Sequence, residues 1–361
     1  MSAKKFKKAI LIGRFEPFHN GHLANVLQAM GIADKVQILI GSSFQPRTPK
    51  NPFKFQERSD MIQRAMSEAL ADARIPEEFS ASNISISPLP DFKYSNSSWI
   101  SYVQGIVAKE DPEIDDREIC ILGYDKDETS WYNHAFPQWA FIPLNGFVKH
   151  GSNPIDATKV RELYFEGHLD FITGAIPNAV FNYLKQFMET EFYQDMVEEY
   201  KFYKDYHKSW ASAPFVPVFQ TTDAVVIQGG HILLIQRGFS PGKGLWALPG
   251  GFINPKERLE DCVIRELVEE TKIKVPEIVL RKGITYNEVF DHPDRDLRGR
   301  TITMAYLIEL DGGNGELPRV KGSDDAKKAR WFKLSEVEEM GELLYGDHKH
   351  IIATLVARAR K

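Results

Sequence analysis

Cysteine is scarce in this chain, with two residues, Cys120 and Cys262, among 361. They stand far apart, each in a largely apolar stretch. A pair of buried free thiols is therefore expected rather than a disulfide, and a reducing, cytoplasmic setting fits. Long apolar runs are missing too. The run Ala9-Ile10-Leu11-Ile12, behind Lys4, Lys5, Lys7 and Lys8, is too short for a secretion signal, and no stretch approaches the length of a membrane span. The glycosylation patterns at Asn83-Ile84-Ser85 and Asn96-Ser97-Ser98 accordingly mean little. Nor is there an excess of positive charge. The 45 Lys and Arg against 50 Asp and Glu give a net charge of -5, which offers no electrostatic footprint for nucleic acid. Repeats and low-complexity tracts are absent. What is there is ordinary globular composition, 43% hydrophobic and 26% charged, at a length that suggests two domains.

The pattern of elements changes along the chain. Residues 8–13 read as a buried strand ending in Gly13, followed by a helix from about Gly21. The run Val36-Gln37-Ile38-Leu39-Ile40 again ends in a glycine, Gly41, and a helix follows over about Phe55 to Leu70. Ile84-Ser85-Ile86 and Ile119-Cys120-Ile121-Leu122-Gly123 read as further strands. Strands alternating with helices predict a doubly wound parallel α/β sheet, with ligands outside the carboxyl ends of the strands, where Gly13, Gly41 and Gly123 fall. After Ala211-Ser212-Ala213-Pro214 the pattern becomes α+β. A hairpin turns at Gly229-Gly230, a helix runs from about Glu257 to Thr271, strands return at 278–290 and 301–310, and a last helix covers roughly 347–360. The expected domains are 1–185 and 213–361. Between them, 186–212 is a helical, aromatic-rich connector that packs as ordinary core or against a second copy in a homo-oligomer.

The loop Gly13-Arg14-Phe15-Glu16-Pro17-Phe18-His19-Asn20-Gly21-His22 leads from strand to helix. The helix start offers unpaired N–H groups and a positive dipole end, both suited to phosphate. His19 and His22, three apart, can face one anion. Gly21 lets backbone approach, Arg14 adds a fixed cation and Pro17 stiffens the loop. Two capping histidines or a two-histidine metal site are the other readings of the same residues. The stretch resembles the HxGH signature of the nucleotidyltransferase superfamily. More narrowly, it resembles the archaeal-type nicotinamide-mononucleotide adenylyltransferases. Gly41-Ser42-Ser43, Arg47-Thr48-Pro49-Lys50-Asn51-Pro52-Phe53, Glu57-Arg58, Asn96-Ser97-Ser98-Trp99 and Ile155-Asp156-Ala157-Thr158-Lys159-Val160-Arg161 follow in the family's order. Asp156 replaces the usual serine and Glu16 a common glutamine.

The resemblance covers roughly residues 8–185. It implies transfer of AMP from ATP to nicotinamide mononucleotide, giving NAD and pyrophosphate with Mg²⁺ bridging phosphates. His19, His22, Arg14 and Arg161 would hold and stabilise the phosphates. Gly13, Phe15, Gly21, Gly41, Arg47 and Thr158 would line the substrate site. Trp99 would stack on the nicotinamide with Asn96 nearby, although a core aromatic is the plainer reading of Trp99. Another phosphate acceptor is the alternative for this domain.

Downstream, Glu266, Glu269 and Glu270 fall at i, i+3 and i+4 of a helix and share one face. Like charges so placed repel by a few tenths of a kcal/mol, and a divalent ion would turn that repulsion into ligation. A plain acidic solvated face is the alternative. From Gly251 through Glu257 and Arg265-Glu266-Leu267-Val268-Glu269-Glu270 the spacing resembles the Nudix box, with Lys272 where glycine is usual. That resemblance implies Mg²⁺, or Mn²⁺, on Glu266, Glu269 and Glu270, with the Gly250 carbonyl and Glu257 as further ligands and Arg265 orienting the glutamates. Lys272 is expected to alter the following loop. The segment from Phe290 to Arg300 resembles the corresponding loop of ADP-ribose pyrophosphatases. Arg295, Arg298 and Arg300 would then meet phosphate, and Phe290 or Tyr286 would stack on adenine. Asp324 or Asp325 is either a further carboxylate or a turn residue.

The whole layout resembles the bifunctional proteins that fuse an adenylyltransferase to a Nudix domain hydrolysing ADP-ribose to AMP and ribose 5-phosphate. The small-molecule partners implied are ATP, nicotinamide mononucleotide, NAD and ADP-ribose, with no nucleic acid and no membrane. A non-catalytic nucleotide sensor is the alternative for the second domain.

Overall fold

The computed structural model describes residues 4–72, 83–124, 131–144, 149–150, 153–311, 315–323 and 325–359. The chain divides into two compact units, Met1–Val197 and Glu198–Lys361.

In the first unit the elements run β1 (Phe6–Gly13), α1 (Asn20–Ile32), β2 (Ala33–Ile40), α2 (Phe55–Ala71), β3 (Ile84–Pro88), α3 (Asn96–Glu110), β4 (Ile119–Gly123), α4 (Trp131–Ala135) and β5 (Ala140–Pro143). A short ladder of β6 (Lys149–His150) and β7 (Asn153–Pro154) follows, then α5 (Ala157–Phe165), α6 (Asn178–Phe187) and α7 (Glu191–Ser209). The five main strands form one all-parallel sheet in the order β3-β2-β1-β4-β5. Strands covered by helices on both faces must be apolar almost throughout, which is why β1, β2 and β4 read as continuous runs. Ile10, Leu39, Leu89, Val103, Ile121 and Phe136 form the core on one side. The one buried cation of β1, Lys8, ends on Asp111 at 2.7 Å. Chain order reverses at β1, between β2 and β4, so the binding crevice of such a sheet lies outside Gly13.

The division between the units falls inside α7, the helix of the aromatic-rich stretch. The second unit continues with β8 (Val218–Gln228), β9 (His231–Arg237), β10 (Trp246–Ala247), β11 (Gly250–Phe252), α8 (Leu259–Thr271), α9 (Glu277–Lys282), β12 (Ile284–Phe290), β13 (Arg300–Glu309), β14 (Ala326–Lys333), α10 (Leu334–Glu339) and α11 (His348–Ala359). Its sheet is mixed. The order β10-β9-β8-β13-β12 is extended by β11 on β8 and β14 on β9, and among the described strands of this sheet β8 and β13 are the parallel pair. α8 buries Val263, Ile264 and Leu267 against Ala224, Val226 and Leu233 of the sheet. Cys120 and Cys262 are free, buried thiols.

Three expectations are corrected here. Residues 277–282 are a helix, not the start of a strand. Pro276 starts it, an Arg281–Glu277 pair braces it at 2.7 Å and Leu280 anchors it in the core. Glu257 lies before α8 rather than in it. Lys272 does not alter the turn that ends α8, because it takes the left-handed conformation itself, with φ 45° and ψ 34°, and its N–H donates to the Val268 carbonyl at 2.9 Å.

Candidate active sites

At the crevice of the first unit, His19 and His22 cap α1 reciprocally. The His22 N–H donates to His19 Nδ1, and the His19 N–H to His22 Nδ1, both at 3.3 Å. Their rings stack with centroids 3.5 Å apart. Gly21 makes this fit, since a Cβ there would meet His19 Cε1 at 2.9 Å. Burial holds the His19 pKa down to about 4, with the Asp156 carboxylate opposing and Arg161 reinforcing the shift. Burial, then the neighbouring His19, pushes His22 well below its usual range. Both rings are neutral near pH 7. With each Nδ1 accepting an amide, the proton of each sits on Nε2, which is left as a donor. The capping reading and the phosphate reading thus describe the same two residues.

Around them, Phe15 stands at φ 56° with its ring over Gly13 and edge-on to His22 at 4.8 Å. The Gly41 N–H donates to the Gly13 carbonyl at 2.8 Å, joining the ends of β1 and β2. Arg161 donates to the Glu16 carbonyl at 2.7 Å and to the Thr158 hydroxyl at 3.3 Å. Burial and the Arg14 charge lower its pKa to about 10. Arg14 bonds Asn51 at 3.3 Å. Asp156, in the usual serine's place, is the cap of α5 and accepts from the Thr158 N–H at 2.8 Å.

Sequence reading missed the centre of this network. Arg58 is 1% exposed and donates to the carbonyls of Arg14 at 2.8 Å, Gly41 at 2.7 Å and Ser42 at 3.2 Å, while pairing with Glu16 at 3.1 Å. Burial raises the Glu16 pKa to about 8 against the pull of Arg58. Arg47, expected to line the substrate site, has its guanidinium engaged. It is bound bidentately to Glu57 at 2.6 and 2.9 Å and lies over Phe187 and Phe192. Trp99 packs with Trp131, Tyr132 and Phe136, with centroids 5.2 to 6.1 Å away, and Asn96 is exposed at the start of α3.

In the second unit a cleft of about 310 Å³ is walled by Asp223, Arg237, Phe239, Gly250, Gly251, Phe252, Arg265, Glu266, Glu270, Arg295, Arg298, Asp347 and His348, among others. That size falls within the range of small-ligand sites. Glu266 and Glu270 line it, while Glu269, 45% exposed at its side chain, stands beside it on Arg265. Arg265 ties the set together. Its guanidinium reaches Glu257 at 2.7 and 3.0 Å, Glu266 at 2.7 Å and Glu269 at 3.0 Å. This fork holds Glu257 down at about 2 and raises the Arg265 pKa further. Glu270 instead accepts the Gly250 N–H at 2.9 Å, and burial lifts its pKa to about 8. Gly251 lets the strand lie on Glu266, since a Cβ there would sit 2.6 Å from its oxygen.

The arginine loop is only partly what was expected. Arg295 lines the cleft but is bidentate to Asp347, both contacts at 3.0 Å. Arg298 pairs with Asp296 at 2.7 Å and covers the Phe252 ring at 4.7 Å. Arg300 turns away from the cleft to the Asp291 carbonyl. Phe290 is 1% exposed and belongs to the core, so it cannot stack on a base. Tyr286 lies under Arg358. Asp325 lines the cleft, and Asp324 lies outside the described residues. Asp223 and His348 were not foreseen. Asp223 accepts from Thr303 at 2.6 Å, and His348 Nδ1 accepts the Leu248 N–H at 2.8 Å.

Among the described residues no three acidic, histidine or cysteine side chains form a ready metal site. The carboxylates converge on the Arg265 guanidinium instead. The donor set still fits a hard dication, because it is all oxygen and a cation already sits among it. Burial-raised Glu270 is also the group a dication would return to its charged form. Among the described residues no helix is long and apolar enough to cross a membrane.

Together the paired histidines of a parallel sheet and the arginine-bound glutamates of a mixed sheet define a two-domain protein of nucleotide phosphoanhydride chemistry. Residues 10–135 match the Cytidylyltransferase-like family model and residues 218–355 the NUDIX domain model. The chain is 31% identical over 198 residues to a nicotinamide/nicotinic acid mononucleotide adenylyltransferase of Acinetobacter baylyi, covering 55% of this chain and 95% of that one. It is 36% identical over 130 residues to an ADP-ribose pyrophosphatase of Methanocaldococcus jannaschii, covering 36% and 68%. A crystal structure of a bifunctional NMN adenylyltransferase/ADP ribose pyrophosphatase from Francisella tularensis, complexed with AMP and a manganese ion, superposes with a TM-score of 0.88. Its identity is 34%, over 98% of this chain and 99% of that one. The chain belongs to the family of bifunctional NMN adenylyltransferase/ADP-ribose pyrophosphatases.

Proposed function

We propose that the first unit joins ATP and nicotinamide mononucleotide. An oxygen of the mononucleotide phosphate attacks the α-phosphorus of ATP, the bond to the β-phosphate breaks, and NAD and pyrophosphate result. The reaction needs no covalent enzyme intermediate, so positioning and charge stabilisation carry the rate. The Nε2–H groups of His19 and His22 donate to phosphate oxygens, with Arg14 and Arg161 supplying charge. Arg58 and Glu16 keep the loops after β1 and β2 in place. Gly13, Phe15, Gly21, Gly41 and Thr158 shape the site, and Trp99 and Asn96 take the nicotinamide end.

The second unit hydrolyses ADP-ribose to AMP and ribose 5-phosphate, water entering at phosphorus as the P–O–P bridge opens. Glu266 and Glu270, with Glu269, Glu257 and the Gly250 carbonyl, would hold the divalent ion, Mg²⁺ in the cell. When bound, it supplies charge neutralisation and an activated water. Arg265, bonded to Glu257, Glu266 and Glu269, would keep them oriented. Arg295 and Arg298, held by Asp347 and Asp296, brace the cleft wall. ADP-ribose is a breakdown product of NAD, so hydrolysis by the chain that also makes NAD would recover its halves in the cytoplasm.

The observation that supports this most is that each compact unit carries its own polar cluster, the stacked His19 and His22 in one and the Arg265-bound glutamates in the other. The test of the first half is incubation with ATP, nicotinamide mononucleotide and Mg²⁺. NAD and pyrophosphate should appear in equal amounts. Adenylyl transfer to other phosphate acceptors but not to this one would overturn it.

A further inference from the structure

Of the two base platforms expected from the sequence, Phe290 is in the core and Tyr286 is not among the residues lining the hydrolase cleft. The structure offers another aromatic. Of the large exposed aromatics among the described residues, Phe239 and Phe252 line the cleft. Phe252 is committed: the Arg298 guanidinium covers it at 4.7 Å and Phe219 meets it edge-on at 5.9 Å. Phe239 is 65% exposed, and among the described residues no aromatic ring stacks on it.

The loop that carries Phe239 is tied down on every side. The Arg237 N–H donates to the Leu245 carbonyl and the Gly244 N–H to that of Arg237, both at 2.9 Å. The Gly238 N–H donates to the Asp325 carbonyl at 2.8 Å. The Arg237 side chain bonds the Pro241 carbonyl at 2.7 Å and lies 4.3 Å over the Tyr345 ring. A bare ring on a mobile loop would be unremarkable surface. Here a braced loop holds an apolar ring in water at the rim of a cleft whose wall carries Arg237, Arg295 and Arg298. A flat partner can cover that ring at little ordering cost, and every nucleobase has such a face.

We infer that Phe239 is the base platform of the hydrolase site, stacking the purine of a nucleoside diphosphate whose phosphates lie deeper in the cleft. This rests on the reading of the second unit as a nucleoside-diphosphate hydrolase. Phe239 acts on binding and not on bond cleavage, so it sets KM and leaves kcat alone.

The test compares wild type, Phe239→Ala and Phe239→Trp in the full chain with Mg²⁺. The substrates are ADP-ribose and diribosyl diphosphate, which keeps the diphosphate and both riboses but lacks the base. The alanine variant should raise KM for ADP-ribose about tenfold with kcat within about twofold, and tryptophan should restore it. KM for the base-free substrate should not change. An unchanged KM for ADP-ribose, an equal loss on both substrates, or a loss that tracks a change in oligomeric state overturns the inference. Calorimetric binding of ADP-ribose to the same variants reads the same contrast without turnover. A wild type that binds ADP-ribose through Phe239 yet cleaves neither substrate would instead count against the hydrolase reading alone.

Discussion

His19 and His22 each accept the other's backbone N–H at Nδ1, 3.3 Å in both directions. Each ring is thereby oriented by the helix it caps, and its Nε2 proton is free for a ligand. If those protons meet the transferring phosphates, His22→Ala should lower NAD formation by about 10²- to 10³-fold, the cost of one preorganised donor to developing charge. ADP-ribose hydrolysis should be untouched. Steady-state rates of both reactions on one preparation check this.

Burial keeps both histidines uncharged. An NMR titration of the free protein should show neither ring gaining a proton between pH 7 and pH 5. The sign for stability follows. The unfolded chain takes these protons near pH 6.5, whereas folded His19 takes its own only near pH 4. Their contribution is therefore full above pH 6.5 and falls as pH drops from there. A ring titrating at 6.5 would contradict this.

Phe290 gives a sharp contrast with Phe239. As a core ring, Phe290→Ala should cost about 3–5 kcal/mol of stability, seen in denaturant unfolding of the second unit. Phe290→Leu should cost less and leave KM for ADP-ribose unchanged.

Lys272 holds a left-handed conformation that costs a side-chain-bearing residue about 1–2 kcal/mol. Lys272→Gly removes that strain but adds freedom to the unfolded chain. A net gain of roughly 0.5–1 kcal/mol is expected in thermal unfolding, with hydrolysis retained. The glutamates lie on the preceding turns of α8.

How much of this was legible in the sequence depends on distance along the chain. His19 and His22 were legible because strand, loop and cap are contiguous, and Arg265 with its glutamates because one helix fixes their spacing. Arg58 was hidden. Its partners are carbonyls of Arg14, Gly41 and Ser42, and no spacing encodes a backbone acceptor. Arg295 and Asp347 meet only when a loop and the start of α11 pack together. Phe290 was misread because alternation along β12 does not say which face is inward. Lys272 was misjudged because propensity says glycine is favoured in that turn, while here a lysine takes the left-handed conformation between the buried Thr271 and Ile273.

The most direct measurement follows ADP-ribose with Mg²⁺ by chromatography, wild type beside Glu270→Gln, with NAD formation assayed on the same samples. Wild type should yield AMP and ribose 5-phosphate and Glu270→Gln neither, while both make NAD at the same rate. Intact ADP-ribose in the wild type, or loss of NAD formation together with hydrolysis, would contradict two separate sites in one chain.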